Sequence, residues 1–199
     1  MRIYTKTGDD GTTGLLYGGR VPKDSAVINI NGTVDEAQAV MGMARAEAER
    51  GSELDLLLTR LERDLYVLMA EVATNPARRS KLVPGQTQVT EEMVSYLEEQ
   101  IDQLIELFDM PADFVIPGAN RASAALDQAR TVVRRAERLL VSEPMADSQV
   151  GRYLNRLSDL LWAMARWTEG DHHLLSHGTP RRARAPKDSP TDSESRSDG

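Results

Sequence analysis

Residues 121–140 read RASAALDQARTVVRRAERLL, and this stretch decides the fold. Ala122, Ala125, Leu126, Ala129, Val132, Val133, Ala136, Leu139 and Leu140 recur at intervals that put them on one face of a helix running to about Val141. A helix with such a stripe needs partners, and the same period recurs on both sides of it. Upstream, Val34, Ala37, Val40, Met41, Ala44 and Ala48 predict a first helix from about Thr33 to Glu49. Ser52 caps a second, which carries Leu54, Leu57, Leu58, Leu61, Leu65, Leu68 and Met69 and ends before Asn75-Pro76. Thr90 caps a third with Met93, Leu97, Ile101, Leu104 and Leu107, stopped by Pro111. Downstream, Leu154, Leu157, Leu160, Leu161 and Met164 mark a fifth helix from about Asp147 to Thr168. The expectation is an all-α five-helix bundle in a ferritin-like up-down arrangement.

The remaining segments divide the chain. Residues 1–32 are rich in Gly and Thr and read as an ordered loop with a short strand at Ala26 to Ile30. Residues 33–169 hold the helices of the same domain, with a connecting loop from Arg78 to Gln88 around Pro84-Gly85. Residues 170–199 are rich in Ser, Pro, Asp and Arg and too poor in apolar side chains to offset ordering entropy, so a disordered tail is expected.

At 199 residues and 40% hydrophobic, the chain can bury one domain's core. The absence of cysteine excludes disulfides, thiolate metal sites and cysteine nucleophiles. With no apolar run of about 18 residues and no secretion signal, the expected location is the cytoplasm, with no membrane partner. The net charge of −7 falls wholly on the body, because the tail from Gly170 holds five basic and five acidic residues. An acidic body argues against nucleic acid as a partner. Against it, the five arginines between Arg121 and Arg138 offer a place for an anionic ligand.

Two stretches carry polyphosphate chemistry. TKTGDDGTTG, residues 5–14, combines three glycines that let backbone amides turn toward an anion with four threonine hydroxyls and the ammonium of Lys6. It is not a Walker loop, since the nearest register, Gly14 to Val21, has Arg20 and Val21 where lysine and a hydroxyl belong. On the fourth helix, Arg130, Arg134 and Glu137 share a sector of about 60° with Asp127 at its edge. Two guanidiniums on adjacent turns present a double fork to phosphate oxygens, and Glu137 can hold Arg134 or accept from a ligand hydroxyl. Solvated turns and surface ion pairs account for the same spacings, which leaves both readings open. Asp35 and Glu36 fall in the first turn of the first helix, where negative charge suits the dipole. Asn155 and Asp159 face solvent by default, and Phe114, before Pro117-Gly118, reads as a staple or core plug.

Taken together, TKTGDDGTTG followed by Arg20 and Lys23, then FVIPG and ARTVVRRAER, then YLNRLSDLLW, resemble the PduO-type ATP:cob(I)alamin adenosyltransferases across residues 1 to 168. The resemblance implies a homotrimer with ATP at subunit interfaces, where the amino-terminal loop meets the arginine helix. It implies ATP contacts at Thr5, Lys6, Thr7, Gly8, Thr13, Gly14, Lys23, Arg134, Arg135, Ala136, Glu137, Arg138 and Asn155. It also implies an Arg130 paired with Asp35, and a Phe114 that displaces the lower axial ligand of cobalamin. With Asp35, Phe114, Arg130 and Arg134 in catalytic roles, the adenosyl group of ATP passes to the cobalt of a reduced corrinoid and triphosphate leaves. Mg²⁺ accompanies the nucleotide, no protein metal ligands are singled out, and a reductase and an adenosylcobalamin-dependent mutase are the partners such a reaction has. The chain departs from the family's common pattern at Ala119-Asn120, Asp127 and Trp162.

Other classes fit less of the sequence. A di-iron bundle needs paired Glu-x-x-His motifs, and Glu169 to His172 supplies one copy interrupted by Gly170. His173 and His177 read as tail residues. A non-catalytic ATP sensor or corrinoid carrier would keep the loop and dispense with Phe114 and Asp35.

Overall fold

The stretch from Arg121 to Leu140 is one uninterrupted helix in a computed structural model that describes residues 3–177. In chain order the elements are β1 (Thr12–Gly14), β2 (Arg20–Pro22), α1 (Ala26–Ala46), α2 (Glu53–Val72), a 3₁₀ turn (Pro76–Lys81) and α3 (Glu91–Ile105). Then come β3 (Val115–Ile116), α4 (Arg121–Leu140), α5 (Val150–Glu169), a second 3₁₀ turn (Gly170–His172) and β4 (Leu174–Leu175). Helix dominates, and no helix among the described residues is long and apolar enough to cross a membrane.

The helix starts follow from local chemistry. Ser52 accepts from the amide of Asp55 at 3.3 Å, and Glu53 and Asp55 place negative charge in the first turn of α2. Thr90 accepts from the Met93 amide at 3.3 Å to open α3. Asn120 and Ser123 cap α4 reciprocally, each side chain accepting from the other's amide. Asn120 thus begins the arginine helix, and its side-chain amide also donates to the Thr168 carbonyl at 2.9 Å.

α1 packs on α2 and α4, α4 on α5, and α5 on α3. Ion pairs give the directions: Glu36 meets Arg135 and Glu47 meets Arg121, so α1 and α4 run antiparallel. Met41, Leu61, Leu65, Leu97, Leu126, Val133, Leu154 and Leu161 are completely enclosed between these helices. Each buried leucine contributes roughly 1.5–3 kcal/mol.

Polar groups are enclosed with them, Asp64 and Glu71 among them. Asp64 on α2 accepts from Arg60 at 3.1 Å and from the buried Tyr153 hydroxyl on α5 at 3.3 Å. Burial pushes the Asp64 carboxyl above the ordinary range despite the Arg60 charge, and pushes the Tyr153 phenol well up. Glu71, fully buried, accepts from the Val89 amide at 2.7 Å and from Arg79 at 2.8 Å, which fastens the connection between α2 and α3 to the bundle.

Several boundaries differ from the sequence reading. Ala26 to Ile30 is not a strand but the first turn of α1, because Val27 and Ile30 continue the inward spacing of Val34, Ala37 and Met41. Residues 26–32 therefore belong to the bundle, and α1 ends at Ala46 rather than Glu49. α3 stops at Ile105, leaving Leu107 exposed, and α5 starts at Val150 after Asp147, which holds a positive φ of 54°. The expected tail does not begin at Gly170, since Leu174–Leu175 pairs antiparallel with Val115–Ile116. Residues 178–199 of that tail lie outside the described residues.

Candidate functional site

The amino-terminal loop is organised by its own side chains. β1 and β2 form a hairpin. Arg20, which follows the tight turn at Gly18 and Gly19, donates through Nε to Thr12 Oγ1 at 2.8 Å and through Nη2 to the carbonyls of Thr7 and Thr12. Asp10 caps the turn by accepting from the amide and hydroxyl of Thr12, and the Thr12 amide is the main cause of its lowered pKa. Arg20 thus shapes the loop. Lys23 lies against Gly8, where an added Cβ would stand 3.1 Å from Nζ, and its amide donates to the Gly11 carbonyl at 3.0 Å. Thr5 and Thr7 share a hydroxyl hydrogen bond of 2.8 Å. The loop is tethered to the end of α2 by Leu16, which donates to the Ala73 carbonyl and accepts from the Asn75 amide.

The second half lies on α4. Arg134, Arg135 and Arg138 are exposed, and Arg135 pairs with Glu36 on α1. Among the described residues, Arg134 and Arg138 have no ion-pair partner. Glu137 does not hold Arg134: its Oε1 accepts from Asn155 Nδ2 on α5 at 2.8 Å. Asn155 is half-buried rather than solvent-facing, while Asp159 is exposed. Beside this pair opens a cleft of ≈ 330 Å³ lined by Glu137, Leu140, Val141, Pro144, Met145, Ser148 and Gly151. Ala136, on the same helix, is buried in the core. Among the described residues, no hydrogen bond or ion pair joins the loop to Arg134 or Arg138.

A larger cleft, ≈ 570 Å³, lies at the start of α4. Phe114 lines it and is 83% exposed, so this ring is neither a staple nor a core plug. Its backbone is held on both sides: the Phe114 amide donates to Asp113 at 2.7 Å, and the Phe114 carbonyl accepts from the Ser176 amide at 2.7 Å. Asp113 also faces His177 at 2.7 Å, and the Phe114 amide first, then His177, keep its carboxyl below the usual range. His177 is thus a partner of the loop that carries Phe114. The wall of the cleft carries Asp127, Arg130, Trp162 and Arg166. Arg130 pairs with Asp127 at 3.2 Å, whereas Asp35 is exposed on α1 and does not meet Arg130 within one chain. Among the described residues, no three His, Asp or Glu side chains gather to hold a metal ion. The contact of Asp127 with Arg166, and the organising role of Arg20, are not marked by any spacing along the chain.

A family model for cobalamin adenosyltransferases matches residues 3–168. The chain is 40% identical over 171 residues to a corrinoid adenosyltransferase of Citrobacter freundii, covering 84% of this chain and 95% of that protein. It is 37% identical over 176 residues to the corrinoid adenosyltransferase PduO of Salmonella typhimurium, covering 87% of this chain but only 51% of that protein. Among solved structures, a variant of the PduO-type ATP:corrinoid adenosyltransferase of Lactobacillus reuteri, complexed with cobalamin and ATP, superposes with a TM-score of 0.76 and 28% identity, covering 84% of this chain and 91% of that one. The fold is that of a predominantly helical protein, and the chain belongs to the cobalamin adenosyltransferase family.

Proposed function

We propose that this protein transfers the 5′-deoxyadenosyl group of ATP to the cobalt of a reduced corrinoid, forming adenosylcobalamin and releasing triphosphate. The observation that carries the reading is the exposure of Phe114, a large aromatic standing free beside a charged wall rather than in the core. A free apolar ring of this kind suits a ligand with a broad apolar face and polar edges. There it would displace the lower axial ligand, which would lower the acceptor orbital of Co(II) and ease its reduction.

The nucleotide would lie between subunits of a homotrimeric five-helix bundle. Lys23, Gly8, Thr5, Lys6, Thr7, Thr13 and Gly14 of one subunit's loop would meet Arg134, Arg135 and Arg138 of another. The support is that, among the described residues, no hydrogen bond or ion pair joins the loop to Arg134 or Arg138, so a complete clamp calls for a second copy. The exposed Asp35 is likewise free to meet Arg130 of a neighbour. Glu137 and Asn155, joined to each other beside a cleft, would hold the ribose end.

In the transfer, the cobalt(I) electron pair forms a bond to C5′ as the C5′–O bond breaks and its electrons leave with triphosphate. Arg134, Lys6 and Lys23 would stabilise the charge growing on that oxygen. Mg²⁺, bound mainly by phosphate oxygens and water as its chemistry prefers, would share that charge. The chain's own contribution is positioning and electrostatics, with no protein nucleophile. A reductase would supply cobalt(I), an adenosylcobalamin-dependent mutase would take the product, and the setting would be the cytoplasm.

Purified protein with ATP, Mg²⁺ and chemically reduced cobalamin should yield adenosylcobalamin and intact triphosphate above a control without protein. ATP binding without product would instead identify a sensor or a corrinoid carrier.

A further inference from the structure

Asp127 stands on α4 at the wall of the Phe114 cleft and is 3% exposed. Its two carboxylate oxygens serve different arginines. Oδ1 accepts from Arg130 Nε at 3.2 Å, and Oδ2 accepts from Arg166 Nη2 at 2.6 Å. Arg166, on α5, is itself enclosed; its Nη2 also donates to Glu169 Oε1 at 2.9 Å, and its guanidinium lies 5.7 Å from the centre of the Trp162 ring. A further Arg166–Glu169 approach, Nε to Oε2 at 2.8 Å, is within ion-pair distance but off the line of a hydrogen bond. Two cations and two anions thus form one neutral chain from the core to the cleft.

We infer that Asp127 is a positioning residue for Arg130: anchored from beneath by Arg166, its carboxylate fixes the Arg130 guanidinium through Nε and leaves both Nη groups available at the cleft beside Phe114. The inference rests on the reading of this cleft as the corrinoid side of the enzyme. Stability alone does not account for the arrangement, because buried ion pairs add little over apolar packing of the same volume. Geometry does account for it. A guanidinium held by Nε keeps a fixed plane and aims its Nη donors at a second acceptor, whereas a lysine ammonium in its place would rotate about its stem and fix no such direction. Asp127 cannot turn toward solvent without breaking its 2.6 Å hydrogen bond with the enclosed Arg166, which would leave Glu169 as that guanidinium's one carboxylate. Among the described residues, the Arg130 Nη groups have no hydrogen-bond partner, which leaves them open to an acceptor from another molecule.

The two hydrogen bonds are unequal, and this makes Asp127→Asn selective. The single amide oxygen should turn to the shorter, buried contact with Arg166, which puts the NH₂ group against Arg130 and releases it. With cob(II)alamin and ATP bound, Asp127→Asn should lose most of the spectrum of the species lacking an axial ligand and lower kcat about 100-fold, the scale set by a misplaced group. KM for ATP should not change. Arg130→Ala should reproduce this loss, and the double variant should be no worse than Arg130→Ala alone, since both act through one group. Arg130→Lys, at a half-buried site that does not threaten folding, should also lose the spectrum even if Asp127→Asn proves unstable. Wild-type kcat in Asp127→Asn or in Arg130→Lys, or losses that multiply in the double variant, would overturn the inference while the parent chain still makes adenosylcobalamin. Absence of product from the parent chain would overturn the reading of the cleft itself.

Discussion

Glu137 on α4 and Asn155 on α5 are joined by a 2.8 Å hydrogen bond from Nδ2 to Oε1, beside a cleft that Glu137 lines. The bond orients the carboxylate and ties the arginine helix to its neighbour. Asn155→Ala should weaken ATP binding by about 1–2 kcal/mol, roughly 10-fold, because a charged acceptor loses its donor. Calorimetry with Mg²⁺ and ATP measures it; unchanged affinity would place the ribose elsewhere.

Arg134 is exposed and has no ion pair among the described residues, so its removal should spare the fold while affecting chemistry. Arg134→Ala should cost about 3–4 kcal/mol in kcat/KM, the scale of a lost donor to a developing oxyanion. Steady-state rates with cob(I)alamin read this directly, alongside an unchanged melting temperature. A near-normal kcat/KM would move the leaving-group contact to another side chain.

Phe114→Ala removes a ring that is 83% exposed, so the melting temperature should hold. ATP affinity should also hold. The spectrum of cobalt(II) lacking its lower axial ligand should disappear, and its persistence would reject displacement by Phe114.

Asp64 gives a pH dependence with a defined sign. Burial raises its folded-state pKa, so the folded protein binds the proton more tightly than the unfolded chain does. The resulting contribution is present below the ordinary carboxylate pKa and is lost as pH rises through the raised value. Asp64→Asn, still able to accept from Tyr153, should flatten the melting temperature over that interval. An identical pH profile in parent and variant would show that Asp64 does not titrate with folding.

The helices were legible because each keeps an apolar stripe over many turns, as Leu54 to Leu68 and Ala122 to Leu140 do, and because Ser52 and Thr90 mark two starts. The first turn of α1 was hidden by Val27, Ile28 and Ile30, β-branched residues whose local preference is overridden by packing against the bundle. The β1–β2 hairpin is too short to show alternation. Asp127 could be placed beside Arg130 from spacing on one helix, but not above Arg166, because that contact depends on how α4 meets α5. Phe114 was misplaced for a similar reason: nothing in its neighbours tells whether an aromatic after a helix break turns inward or stands free.

The pairing of Leu174–Leu175 with Val115–Ile116 changes what a deletion means for this chain. Shortening it after Glu169 trims no mere appendage, because the backbone holding the exposed ring loses its flanking strand and the Ser176 amide together. A shortened protein would keep its core and its affinity for the nucleotide while the aromatic lost its fixed aim.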